Sequence, residues 1–212
     1  MTIIYYANFV KELNHTIFGY YLDLLPLSLR QQILKFKYRQ DAQASLIGKL
    51  LLIKGLKDLQ QDYELIDLKY SVFGRPYFQS AHIDFNISHA GCYVICALST
   101  CGRIGVDLEE TKPIIIENFR DQFSNAEWED IKSSKNPLDK FYFYWTAKEA
   151  TVKADGRGLN ILLKNVEIKK NTAFIKDKIW HLTDLKLFKN YNVQIATNYR
   201  IEEKLIFQSV KF

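Results

Sequence analysis

The 212-residue chain contains no apolar run approaching the roughly 18 residues that a membrane-spanning helix requires. Its first residues, Met1-Thr-Ile-Ile-Tyr-Tyr-Ala-Asn, lack a basic segment followed by an apolar one, so no signal peptide is read there and a cytoplasmic location is expected. Low-complexity tracts and short tandem repeats are also missing. Cys92, Cys96 and Cys101 are the three cysteines, an odd number that offers no disulfide framework. With His89 they raise the question of zinc. Residues 92–99 read as a strand, however, which would separate Cys92 from Cys96 by roughly 13 Å, too far to share one ion at ~2.3 Å Zn–S bonds. Cys92, Val94, Cys96 and Leu98 are instead expected on one buried strand face. A dense basic block is lacking too. The 29 Lys and Arg are interspersed with 24 Asp and Glu, for a net charge of +5. That distribution argues against nucleic acid and membrane surfaces and suits an acidic protein or a phosphorylated small molecule.

What the chain does have is apolar content. At 48% hydrophobic and 14% aromatic it can bury the core of one large domain or two small ones. Residues 3–9 read as a strand, and helical stretches are expected at 26–38 and 41–57. In the second of these, Ala44, Ile47 and Leu51 keep a helical period, and Gly48 predicts close packing against another element. Strands are expected at 85–88, 93–99 and 104–108, and residues 111–114 form the best linker. A short helix at 117–122 precedes one from Ser124, where Ser124 and Glu127 make a capping box. A strong helix at 141–154 ends near Gly156. The tail from 166 to 210 reads as several antiparallel strands. The mixture, without regular βαβ alternation, predicts an α+β fold.

Three stretches could carry chemistry. In Gly105-Val-Asp-Leu-Glu109 the period of two puts Asp107 and Glu109 on one side of a strand, with Val106 and Leu108 turned to the core. Two such carboxylates are either Mg²⁺ ligands, the oxygen-only set that this ion prefers, or a solvated acidic strand end. In Trp145-Thr-Ala-Lys148-Glu149-Ala-Thr-Val-Lys153 the residues Trp145, Glu149 and Lys153 share one helix side. Glu149 and Lys153 are either a surface ion pair or a metal ligand beside a phosphate contact. In Phe85-Asn-Ile-Ser-His89 a polar row of Asn86 and Ser88 leads to His89, which either meets a phosphate or closes a turn.

Taken in order, Gly74-Arg-Pro76, Phe85-Asn-Ile-Ser-His89, Gly105-Val-Asp-Leu-Glu109 and Trp145-Thr-x-Lys-Glu149-x-x-x-Lys153 resemble the signature series of the 4′-phosphopantetheinyl transferases. The match is to the surfactin-synthetase-activating type, in which one chain contains two related halves. Asp41-Ala-Gln-Ala-Ser-Leu-Ile-Gly48 looks like that family's first helix motif, and the resemblance spans roughly residues 25–165. It implies two pseudo-symmetric α+β halves, 1–105 on the coenzyme A side and 106–212 holding the metal and the catalytic helix, with the active site in the cleft between them.

The implied reaction moves 4′-phosphopantetheine from coenzyme A to a serine hydroxyl of an apo acyl, peptidyl or aryl carrier protein, releasing adenosine 3′,5′-bisphosphate. A monomer acting on a small acidic carrier is implied. The alternative is a non-catalytic coenzyme A or nucleotide-binding module on the same fold. By resemblance Mg²⁺, or Mn²⁺ in its place, sits on Asp107, Glu109 and Glu149, and Lys153 steadies phosphate charge. Ser45, Arg75, Asn86, Ser88 and His89 line the coenzyme A site. Glu149, Glu127 and a metal-bound water are the candidate bases for the attacking serine. Two departures stand out. Arg75 replaces the lysine common in the Gly-Lys-Pro motif, and the basic residues that hold the 3′-phosphate align uncleanly, leaving Arg30, Lys35 and Arg39 as candidates. The segment 114–138, with Ile114, Ile115, Ile116 and Phe119, is either carrier-docking surface or core.

Overall fold

The structure is a computed structural model that describes residues 1–79 and 82–212. β1 (Thr2–Asn8) is followed by α1 (His15–Asp23), α2 (Leu27–Leu34), α3 (Arg39–Asp58) and the two-residue strands β2 (Lys69–Tyr70) and β3 (Pro76–Tyr77). A hairpin of β4 (Asp84–Ala90) and β5 (Tyr93–Ser99) leads into β6 (Ile104–Glu110). A 3-10 segment (Ile116–Gln122) precedes α4 (Asn125–Ser133) and α5 (Pro137–Asp155). The remainder is β7 (Glu167–Lys169), β8 (Thr172–Ile175), β9 (Lys178–Asp184), β10 (Tyr191–Thr197) and β11 (Ile206–Ser209). Among the described residues no helix is long and apolar enough to cross a membrane.

The architecture is α+β, with two sheets each crossed by one long helix. The first sheet has the order β11-β1-β5-β4 and carries α3; the second has the order β6-β10-β9-β8-β7 and carries α5. β5 is buried on both faces. Val94, Cys96 and Leu98 pack with α3 as the alternation predicts, but Cys92, expected with them, sits half-buried in the turn before β5; Ile95 and Ala97 join Ile104, Val106, Leu108, Val193 and Ile195 in the layer between the sheets. Gly48 lets α3 lie close. A β-carbon there would come within 2.8 Å of Ile87 Cγ2.

Local signals place the elements flanking the site. The Ser124–Glu127 capping box forms in both directions, with Ser124 N donating to Glu127 Oε2 at 2.8 Å and Glu127 N donating to Ser124 Oγ at 3.3 Å. α5 starts at Pro137 and stops at Gly156, whose φ of 87° is the left-handed cap that glycine adopts most readily. Opposite α5, Gly105 allows near backbone contact. A β-carbon at this point would sit 2.1 Å from Ala150 O and 2.4 Å from Ala154 N.

Three expectations change. The helical stretch 26–38 is shorter, Leu27–Leu34, and it is preceded by α1, a helix outside the sequence expectations that buries Phe18 and Leu22. The tail is not wholly antiparallel: β7 to β10 are, but β11 leaves them and pairs in parallel with β1, Ile3 opposite Ile206. The point 105/106, expected to separate the halves, falls inside β6.

Candidate active site

β4 and β6 lie side by side where the two sheets meet, and α5 crosses β6. Lys153 Nζ of α5 is 2.6 Å from Asp107 Oδ1 of β6 and 3.1 Å from Ser88 Oγ of β4. Ser88 Oγ in turn donates to Asp107 Oδ1 at 3.2 Å and accepts from Leu108 N at 3.2 Å. Asp107 is only 3% exposed, and its Oδ2 is buried without a hydrogen-bond partner. Leaving a carboxylate oxygen unsatisfied in such a place is costly unless another group meets it.

The neighbouring carboxyls register the same crowding. Burial first, then Asp107, push Glu109 up to about 7 against the opposing pull of Lys153. Burial and Asp107 likewise raise Glu149, again opposed by Lys153. Three clustered carboxyls with an orphaned oxygen and only oxygen donors fit a Mg²⁺-type cation. Among the described residues no three acidic, histidine or cysteine side chains already converge as a ligand set. Lys153 sits in their midst and shares their charge.

Two cavities adjoin this cluster, and Asn86 and Pro76 line both. One, about 530 Å³, is largely apolar, with Phe73, Trp145, Val152, Ile161 and Leu163 around Glu149 and Lys153. The other, about 450 Å³, gathers Ser45, Lys49, Ser88 and His89 beside Phe36 and Tyr70. Burial and the Lys153 charge move His89 below the usual imidazole range, with Lys49 adding to this and Asp41 and Asp107 opposing it. The imidazole is therefore neutral at pH 7. Lys49 was not anticipated. Burial lowers its pKa, and among the described residues its ammonium forms no ion pair. The signal was available, since Ser45 and Lys49 lie four apart and so share a face of α3.

The structure thus gathers Ser45, Ser88, His89, Asp107, Glu109, Glu149 and Lys153, and turns other candidates elsewhere. Glu127 is 4% exposed and held by Lys148 Nζ at 2.9 Å, Ser124 N and Ile168 N. Lys148, itself wholly buried, also donates to Leu163 O and Val166 O. This pair ties α4 and the chain before β7 to α5, leaving Glu127 no access to a substrate.

Arg75 is likewise committed. Its guanidinium clamps Asp84 in a fork at 2.8 Å on both nitrogens and reaches Lys153 O at 3.0 Å and Ile104 O at 2.9 Å. It therefore joins β4, β6 and α5, and it also borders the cavity that contains Glu149 and Lys153. Asn86 Oδ1 accepts from Val106 N at 2.9 Å. Of the three proposed 3′-phosphate residues, Arg30 pairs with Asp23 at 2.7 Å, Arg39 stacks on Phe18, and Lys35 is exposed at the end of α2, outside the lining of both cavities. Ile116 and Phe119 pack on the aromatic cluster of Phe123, Phe141 and Trp145, whereas Ile114 and Ile115 stay exposed.

Comparison with known proteins fits these positions. A family model described as the 4′-phosphopantetheinyl transferase superfamily matches residues 103–202, and one for the N-terminal region of such transferases matches 14–101. The 4′-phosphopantetheinyl transferase Sfp of Bacillus subtilis is 32% identical over 156 residues, covering 70% of this chain and 68% of that protein. The chain belongs to the 4′-phosphopantetheinyl transferase family. Another transferase of this family, gsp of Aneurinibacillus migulanus, is 31% identical over 77% of this chain and 70% of its own length. The L-aminoadipate-semialdehyde dehydrogenase-phosphopantetheinyl transferase of Xenopus laevis is 31% identical over 79% of this chain and 66% of its own. The second of these matches ends at residue 101 and the first begins at residue 103.

Proposed function

We propose that this transferase family member moves 4′-phosphopantetheine from coenzyme A to a serine hydroxyl of an acidic acyl, peptidyl or aryl carrier protein, acting as a cytoplasmic monomer. The observation that supports this most is the pair of cavities that share Asn86, one lined by Glu149 and Lys153 and the other by Ser88 and His89. Lys49, Ser45 and His89 offer polar contacts to the phosphorylated nucleotide in one cavity, the apolar walls beside Trp145 suit the pantetheine arm in the other, and the pyrophosphate lies near Lys153.

The chemistry follows from the residues. The carrier serine oxygen bonds to the phosphorus bearing pantetheine, the bond from that phosphorus to the bridging oxygen breaks, and adenosine 3′,5′-bisphosphate leaves with the electron pair. Asp107, Glu109 and Glu149 would hold Mg²⁺ or Mn²⁺, which supplies Lewis-acid neutralisation of phosphate charge. Lys153 moves from its carboxylate partner to the phosphate oxygens and steadies the charge that develops there. The serine proton passes to Glu149. Exposed Ile114 and Ile115 receive the carrier.

The test is covalent labelling of several apo carriers with a fluorescent coenzyme A analogue and Mg²⁺. No labelling by folded protein sinks the assignment. Lys49→Ala is expected to raise KM for coenzyme A about tenfold with kcat nearly unchanged, measured by steady-state kinetics. Cation binding by the metal-free protein is expected to release protons near neutral pH. Glu109 titrates at about 7 and must be deprotonated to serve as a ligand. Calorimetry in buffers of different ionisation enthalpy reads that release. Uptake falls as pH drops below 7, and a pH-independent affinity between 5.5 and 8 would remove Glu109 from the ligand set.

A further inference from the structure

We propose that Asn86 is a positioning residue for Asp107, acting through the backbone of β6 rather than by holding substrate. The inference rests on the transferase reading for its catalytic consequence, but not for its structural one. β4 and β6 are not partners in a backbone ladder; each belongs to a different sheet. Between them three alternate side chains accept from three alternate amides. Asp84 Oδ2 takes Ile104 N at 2.8 Å, Asn86 Oδ1 takes Val106 N at 2.9 Å, and Ser88 Oγ takes Leu108 N at 3.2 Å. The polar row of one strand thus does for the neighbouring strand what a backbone edge would do.

The outer rungs are braced. Arg75 holds Asp84 in a two-pronged ion pair, and Lys153 with Asp107 holds Ser88. Asn86 is the middle rung, and the amide it holds belongs to the residue preceding Asp107. Val106 is wholly buried, so its N–H has no water to fall back on if Oδ1 is lost. The backbone ladder with β10, Asp107 opposite Gln194, sets which face Asp107 occupies, and the rungs hold that stretch of β6 against β4 and its Ser88. Asn86 Oδ1 is spent in the seam. Its amide nitrogen makes no bond with the protein among the described residues, so the two atoms can be tested apart.

Asn86→Ala removes both atoms, whereas Asn86→Asp keeps the acceptor and removes the donor. Three quantities are measured on each folded variant: exchange of the Val106 amide by NMR, affinity for Mg²⁺ alone by calorimetry, and kcat and KM for coenzyme A. Asn86→Ala is expected to speed Val106 exchange about tenfold, to weaken Mg²⁺ about tenfold and to lower kcat similarly, with KM within about twofold of the parent. Asn86→Asp restores the exchange protection and most of the Mg²⁺ affinity and kcat.

A rise in KM shared by both variants, with kcat and exchange unchanged, overturns the proposal and makes the amide nitrogen a substrate contact. If Asn86→Ala does not fold, Asn86→Asp decides alone: retained Val106 protection and Mg²⁺ affinity support the seam, and their loss refutes it. Should the parent protein label no carrier, the transferase reading fails while the exchange and Mg²⁺ measurements still decide the role of Asn86.

Discussion

Asp107→Asn is expected to lower transfer by at least about a hundredfold while the protein keeps its melting temperature. The substitution preserves shape and the Ser88 contact but removes charge from the point where Lys153 and the proposed cation converge. Stability is spared because the native arrangement is already uncomfortable. Asp107 Oδ2 has no partner, and the Asp107 charge helps push Glu109 up to about 7.

The sign of the pH effect follows. A carboxyl whose folded pKa lies above its ordinary 4.5 favours the folded state at low pH and withdraws that support as pH rises through roughly 4.5 to 7. In metal-free Asp107→Asn this loss is expected to shrink, because one of the two leading causes of the shift is gone. Melting curves between pH 4.5 and 8 check it, alongside carrier labelling. Activity within tenfold of the parent would remove Asp107 from the reaction.

Gly105→Ala is the second large effect, and it acts on fold and chemistry together. The new methyl would meet Ala150 O at 2.1 Å and Ala154 N at 2.4 Å, both rigid helix backbone, so α5 must move away from β6. Overpacking of this kind costs about 1–3 kcal/mol. The displacement also parts Lys153 from Asp107, now 2.6 Å apart, and a shift near 1 Å in a reacting site costs about a hundredfold. Thermal melting and single-turnover labelling read the two losses separately. Gly55→Ala is the control: it meets the terminal methyls of Leu98 at 2.8 Å and 2.9 Å, a core residue that lines neither cavity, and is expected to leave labelling intact. Full activity in Gly105→Ala would show that α5 does not need its present seat.

The parts of the molecule legible in its sequence are those governed by neighbours along the chain. Ser124 and Glu127 announce the start of α4, Gly156 its successor's end, and the period of two puts Asp107 and Glu109 on one face. What escaped notice depends on pairings between distant segments. The Asn86–Ser88 polar row was visible, but a polar row facing a ligand and one facing another strand's amides look alike until the second strand is in place. Glu127 carries a cap signal and a catalytic-looking carboxylate at once; only the buried Lys148, arriving from α5, shows how its charge is satisfied. Arg75 kept the charge expected of its motif and spent it on Asp84 and two carbonyls, because a forked cation can bridge three elements where an ammonium cannot.

The parallel pairing of β11 with β1 has a bearing on how the chain reaches this state. Ile3 and its partner Ile206 are separated by some two hundred residues of chain, so the second is synthesised well after the first. At a ribosomal pace of roughly 5–20 residues per second, the outer edge of β1 stays bare for about ten to forty seconds. An unpaired edge is a template for strands of other nascent chains. Crowded translation is therefore the stage at which this protein is most exposed to aggregation, and removal of β11 would make that exposure permanent.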